Sequence, residues 1–344
     1  MKERVAWVDV AKGIAMFLVV LGYNPLSDSW MRIIYSLNVP IFFLMSGFTF
    51  HAGQYDNLGQ LVKRLAKSLL IPYVFLNLLA YPVFCYTQGR MPDLESAKQL
   101  FFGMLYGVGD AGSLRFNIPL WFLPCTCMIE CLYYLLDKYS KKTKPIWVLV
   151  SAVLGYFSFP LFNIRLPWGL DAAFTGLVFF AVGHYFCKER ADKALFKLNP
   201  FLGFVLMTVS NVGFNLLNHT AAPYVDFNAM MFGNIFLFYI CAFSGCVSVV
   251  YLAKIFEKSK LLAYVGRSTL WVIGLHAVFA QLFIYKLQIS MVPWKSVNSL
   301  ILCVMEILCV CLIKLAWEWF EKKVRQKKQA AGSVDNKGKQ QEIN

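Results

Sequence analysis

The chain has 344 residues, of which 58% are hydrophobic and 17% aromatic, with only 15% charged and a formal net charge of +14. A soluble globular domain carries about 25% charged residues, so the composition excludes that class and points to a polytopic membrane protein. The positive charge does not argue for a nucleic-acid partner, because the basic residues fall mainly in short loops between apolar runs, where they set topology and meet anionic membrane lipid.

Ten apolar stretches are long enough to cross about 30 Å of hydrocarbon: 6–23, 32–51, 68–88, 119–137, 145–162, 170–187, 200–217, 229–254, 263–287 and 297–319. The expected fold is therefore an all-α, polytopic membrane bundle of about ten transmembrane helices. Lys2 and Arg4, the Lys63 to Lys67 group, Lys138 to Lys144, Lys188 to Lys197, Lys254 to Lys260 and the residues from Lys322 to Lys339 fall on one side. The opposite loops hold only Arg32, Arg90, Lys98, Arg115, Arg165, Lys286 and Lys295. That bias predicts both termini in the cytoplasm. Trp30, Trp168 and Trp294 near outer ends, with Trp7, Trp147, Trp317 and Trp319 near inner ends, read as interfacial belts.

The organisation expected is one transmembrane domain over 1–320 and a basic, unstructured cytoplasmic tail over 321–344. The first apolar run is span-length, carries internal charge and lacks a small-residue cleavage site, so it reads as a retained helix. Cys125, Cys127 and Cys131 cluster without a histidine at metal-ligand spacing; they read as core packing, and no metal site is expected.

The first helix carries the most informative feature, Asp9 and Lys12 inside an apolar span. A lone charge at bilayer depth costs on the order of 3 kcal/mol or more, so such residues face a polar interior. At about 100° per residue, Asp9, Lys12, Met16, Val19 and Tyr23 share one stripe, with Lys12 and Tyr23 about 16 Å apart along the axis. Polar groups thus mark one face at two depths. Lys12 reads either as a ligand for a substrate or as the partner of Asp9.

In the second span, Tyr35-Ser-Leu-Asn-Val-Pro-Ile-Phe-Phe-Leu-Met-Ser-Gly-Phe48 places a proline near the outer start and a Ser-Gly pair deeper in. The connection from Gly89 to Ile118 contains Gly107, Gly109 and Gly112 and is long enough to shape an outer site. The fourth span opens on Pro119-Leu-Trp-Phe-Leu-Pro124 and holds Glu130, which reads as a buried acceptor paired with a cation. Leu170-Asp-Ala-Ala173 leads to Phe179-Phe-Ala-Val-Gly183, and Gly266-Arg-Ser-Thr-Leu270 leads to Leu275-His276.

Together with Asp9, Lys12-Gly-Ile-Ala15 and Val19-Val-Leu-Gly22, these strings resemble the membrane-bound acyltransferase 3 family, in particular its fucose 4-O-acetylase-like branch. The resemblance implies a bacterial inner-membrane enzyme that takes an acyl group, usually acetyl, from cytoplasmic acyl-CoA and delivers it to a sugar hydroxyl of a glycan or lipid-linked sugar. Acyl-CoA would be a donor substrate, and no permanently bound cofactor is implied. The family places a basic residue on the first helix and, after ten intervening residues, a histidine. Lys12 fills the basic slot, Tyr23 stands in the histidine slot, and Asn38 stands where a second family histidine precedes Val-Pro.

Both departures touch the chemistry. Histidine, with an ordinary pKa of about 6.5, is suited to take a hydroxyl proton, whereas a tyrosine near 10 is mostly protonated and an asparagine accepts no proton for catalysis. Tyr23 remains a hydrogen-bond donor for a developing oxyanion. The candidate set is therefore Tyr23, Asn38 and His276 for catalysis, Asp9 and Lys12 for acyl-CoA, and Trp121 and Asp171 for the sugar. His276 reads either as a relay base or as a hydrogen-bond partner between helices. Two other readings stay open: a catalytically inactive member acting as a glycan or acyl-group carrier or export component, and a proton-coupled transporter using Asp9, Lys12, Glu130 and His276.

Overall fold

The computed structural model describes residues 5–89, 91–109, 113–188, 191–286 and 294–341. Its first half contains α1 (Ala6–Gly22), α2 (Asp28–Tyr35), α3 (Pro40–Thr49), α4 (Leu58–Leu65), α5 (Ile71–Gln88), α6 (Leu94–Tyr106), α7 (Phe122–Tyr139) and α8 (Lys144–Phe162). The second half contains α9 (Leu170–Lys188), α10 (Ala191–Leu195), α11 (Pro200–Asn218), α12 (Ile235–Ile255), α13 (Lys260–Arg267), α14 (Thr269–Ala280) and α15 (Lys295–Gln341). The described residues form no sheet; their one isolated β-bridge joins Asp226 to Met231.

Eight helical stretches are long and apolar enough to cross a membrane, and α13 with α14, bent by 83° at a one-residue break, brings the number to nine. The remaining predicted span is α1. At 17 residues it is a short crossing, and nearly its whole circumference is buried. An apolar helix buried all round belongs in the middle of a bundle, and α1 packs on α2, α3, α12, α13, α14 and α15. Only 17% of the apolar windows of α8 and α11 is buried, which puts those two helices at the lipid-facing rim.

Two helix crossings are set by paired glycines. A Cβ on Gly13 of α1 would strike the Leu262 carbonyl of α13, and one on Gly266 of α13 would strike the Asp9 carbonyl of α1. The same reciprocity joins α3 to α9, where Gly47 faces the Phe180 carbonyl and Gly183 the Leu44 carbonyl. Small residues let backbones approach where no water is squeezed out to drive association.

α15 continues into the stretch expected as an unstructured tail, reaching Gln341. Lys314 to Glu318 at 3.4 Å and Arg325 to Glu321 at 3.5 Å support it at four-residue spacing. The described cysteines are free, and most are buried.

Candidate active site

The second span breaks at Ser36–Val39 because Pro40 has no N–H to give the preceding turn. The Ile34 carbonyl accepts both the Leu37 and Asn38 amides, at 3.2 and 2.9 Å. Ser36 is fixed at the break: its hydroxyl donates to the Ile33 carbonyl at 2.8 Å and accepts from the side-chain amides of Asn211 and Asn215 on α11, at 3.1 and 3.0 Å. The break directs Asn38 and Tyr35 at the C-terminal end of α1. There Gly22 leaves room for both side chains, and its carbonyl accepts the Tyr35 hydroxyl at 2.9 Å.

These groups face a cavity of about 150 Å³ whose polar lining comes from Tyr23, Tyr35, Asn38, Trp121, Asp226 and Asn228. Trp121 is brought in by a 3-10 turn over Ile118–Trp121 that leads into α7, and its side chain acts on the Tyr23 hydroxyl across the cavity. Behind Tyr23 stands His276 of α14, edge to face with it at a centroid separation of 5.3 Å. His276 is fully buried, and its Nδ1 lies 2.8 Å from the Val272 carbonyl. A carbonyl only accepts, so Nδ1 carries the proton and Nε2 presents a lone pair. Nε2 is buried without a protein hydrogen-bond partner. Ile273, one turn before His276, itself lines the cavity.

The outer wall comes from the segment between α11 and α12. Asp226 accepts the Ala229 amide at 2.9 Å, and its backbone pairs with Met231 in both directions. Burial pushes the Asp226 carboxyl above the ordinary carboxylate range, against the opposing pull of the Ala229 and Asn228 amides and of Arg165. The same burial, reinforced by Asp226, raises the Tyr224 phenol. Asn228 donates its side-chain amide to the Gly109 carbonyl, so the 89–118 connection does shape this wall.

Asp171 takes a different position from the sugar contact expected of it. It is fully buried and does not line the cavity. One carboxylate oxygen accepts Arg165 Nε at 2.6 Å and the Leu166 amide at 3.4 Å, and the other accepts the Ala172 amide at 2.8 Å. With both oxygens engaged and no exposed surface, it clamps Arg165, whose Nη1 donates to the Asn228 carbonyl at 2.5 Å. Its effect on the cavity is one of position.

At the other end of α1 lies a charged cluster. Asp9 is 3.6 Å from Arg267 of α13, and Glu130 of α7 is 2.5 Å from Arg64 of α4, with its side chain only 8% exposed. Lys12 is half-buried and close enough to act electrostatically on Glu130. The cation expected for Glu130 is thus Arg64, helped by Lys12. Met16 and Val19 are buried as the stripe predicts, and the cavity at Tyr23 reaches along α1 to Val19 but does not include Lys12.

Asp226, Asn228, Tyr35 and Glu306 were absent from the candidate set. Glu306 of α15 is fully buried; one carboxyl oxygen accepts the Asn24 side-chain amide at 3.3 Å and the other has no partner. A glutamate in the middle of a hydrophobic span was the available signal. No such signal marked the loop residues. Among the described residues, no three His, Cys, Asp or Glu side chains converge as a metal-binding group.

The family model of the Acyl_transf_3 acyltransferase domain matches residues 5–316, nearly the whole chain. The chain belongs to this acyltransferase family. No curated protein and no solved structure matches it. Membership in the acyltransferase 3 family and the helical bundle agree on a multi-pass membrane acyltransferase, with Tyr23, Asn38, Trp121 and His276 gathered at one end of α1 and Asp9 and Lys12 at the other.

Proposed function

We propose that this protein transfers an acyl group, most simply acetyl, from cytoplasmic acyl-CoA to a sugar hydroxyl of a surface or exported glycan, in the manner of the fucose 4-O-acetylase-like branch. The observation that carries the reading is the packing of His276, with a bare Nε2, directly behind a cavity lined by Tyr23, Asn38 and Trp121. A small polar cavity with an aromatic wall suits a sugar ring, and a neutral imidazole supplies the base that Tyr23 and Asn38 lack.

In this reading the acceptor hydroxyl occupies the cavity and gives its proton, through the Tyr23 hydroxyl, to His276 Nε2. The hydroxyl oxygen attacks the thioester carbonyl, the side-chain amide of Asn38 stabilises the developing oxyanion, and the carbon–sulfur bond breaks. His276 returns the proton to the departing CoA thiolate. Lys12, with Asp9 holding Arg267 nearby, attracts the anionic donor at the inner mouth. Asp171 acts indirectly, through Arg165 and the Asn228 segment.

The test is transfer of radiolabelled acetyl from acetyl-CoA in membranes containing wild type, Lys12→Ala, Tyr23→Phe or His276→Ala. Loss in all three supports the site, and unchanged transfer in all three overturns it. The replacement of both family histidines favours a second reading, an inactive carrier or export component. Acetyl transfer created by Tyr23→His with Asn38→His, and absent from the native protein, would establish that alternative.

A further inference from the structure

A second, larger cavity has no part in this chemistry. A cleft of about 940 Å³ opens between the inner ends of α7, α8 and α9. Its lining combines Lys141, Lys144, His51 and His184 with the Asp137 carboxylate and the aliphatic Val148 and Val182. Lys144 is anchored by Asp137 at 2.7 Å and stands over the Tyr133 ring at 5.1 Å, whereas Lys141 is exposed.

His184 adds a requirement for a donor. The Phe50 backbone acts electrostatically on the His184 ring. The ring's Nδ1 is buried without a protein hydrogen-bond partner. With the proton on Nε2, Nδ1 is left to accept a hydrogen bond. The cleft thus offers cations to an anion and a bare acceptor to a hydroxyl.

Its surroundings mark the depth. Tyr185 of the cleft lining is 63% exposed, and Tyr139 and Trp147, which flank in sequence the turn that carries Lys141 and Lys144, are 73% and 49% exposed. Exposed tyrosine and tryptophan at one level are the signature of the membrane–water interface, and the basic residues from Lys138 to Lys144 give that interface its cytoplasmic character. Val182 is exposed, and with Val148 it gives the cleft an aliphatic stretch. A nucleotide would need hydrogen-bonding walls for its base there; an acyl chain needs none.

We propose that this cleft binds an anionic, hydroxyl-bearing phospholipid of the cytoplasmic leaflet, its phosphate on Lys141 and Lys144, a headgroup hydroxyl on His184 Nδ1, and an acyl chain along Val148 and Val182. Basic pockets between helices on the cytoplasmic side take phosphate headgroups in this way. The inference goes beyond the acyl-transfer reading and stands independently of it.

Native mass spectrometry of the full chain in mild detergent tests it, with phosphatidylglycerol and phosphatidylcholine as probes. Phosphatidylglycerol should bind ahead of phosphatidylcholine, and Lys141→Gln should weaken its binding about fivefold. Lys142→Gln, outside the cleft, should leave it unchanged, and His184→Phe should reduce the preference for phosphatidylglycerol over phosphatidic acid. Equal binding of the two lipids, or equal behaviour of the Lys141 and Lys142 variants, overturns the proposal. Displacement of phosphatidylglycerol by CoA or by inorganic phosphate would also overturn it, by assigning the cleft to a soluble phosphate ligand. None of these readouts depends on acetyl transfer.

Discussion

Tyr23 and His276 meet edge to face with ring centroids 5.3 Å apart, one closing the C-terminal end of α1 and the other on α14, bent 83° from α13. In the proposed reaction this contact makes His276 the base beside Tyr23. His276→Gln keeps a donor for the Val272 carbonyl but cannot take up a proton, so it separates catalysis from packing. Loss of a general base costs about 10²- to 10⁴-fold in rate. The expected outcome is a fall of that size in acetyl transfer with normal yield of folded protein in detergent. Transfer within a few-fold of wild type would remove His276 from the reaction.

Asp171 and Arg165 form the best-shielded ion pair among the described residues, with side chains 0% and 12% exposed and 2.6 Å apart. Removing one partner of a buried pair leaves an uncompensated charge and costs about 3–5 kcal/mol. Arg165→Ala should therefore lower the unfolding temperature in detergent clearly more than Arg165→Lys, and should free the Asn228 segment from its anchor. Protease cleavage within 219–234 should rise with it. An Arg165→Ala protein as stable and as resistant as wild type would show that the pair does not hold the cavity wall.

Asp226 provides a pH signature outside the spans. Burial raises its carboxyl in the folded protein above the unfolded value of about 3.9. The folded state then binds more protons than the unfolded chain between those two values. The contribution of Asp226 to stability is complete below the unfolded value and is lost as pH rises through the raised one. Asp226→Asn keeps an acceptor for the Ala229 amide at any pH. Thermal unfolding compared from pH 4 upward should therefore show the variant gaining on wild type as pH rises, then holding a constant lead. A lead that does not change with pH would rule out this linkage.

The spans were legible because apolar runs of this length have few alternatives, and Asn38 was legible because it precedes Val-Pro where the resembled family has a histidine. The start of α12 was not: apolar residues from Phe227 to Met231 invite a helix from 229, yet it begins at Ile235. Asn234 caps the Phe236 and Leu237 amides at 3.0 and 3.2 Å, and Gly233 before it takes φ +70, so a local start signal was present but outweighed by hydropathy. The early residues instead fold back, with Phe227 buried and Asp226 paired to Met231, to wall the cavity. Asp171 likewise showed its charge in the sequence but not its partner, because a pairing across a turn leaves no periodicity. The sequence thus revealed most of the groups on spans, though not Glu306 of α15 or Tyr35 of α2, and missed those that a loop delivers.

The strings that carry the family likeness include Gly13, Gly47, Gly183 and Gly266, and each of these four sits where a Cβ would enter a neighbouring backbone carbonyl. The shared pattern is therefore largely a packing pattern, and it has a mechanical consequence for the site. The α1–α13 crossing places Asp9 against Arg267 at one end and, through the bend into α14, seats His276 behind Tyr23 at the other. Gly266→Ala puts a methyl against the Asp9 carbonyl, a contact with backbone that no rotamer change relieves. Overpacking in a tight core costs about 1–3 kcal/mol, and a backbone clash belongs at the upper end. The expected result is a lower unfolding temperature together with reduced acetyl transfer, because separation of the helices withdraws the base. Gly53→Ala, at a position with open space around it, is the matched control and should change neither. If Gly266→Ala is as stable and active as that control, the crossing does not set the geometry of the site.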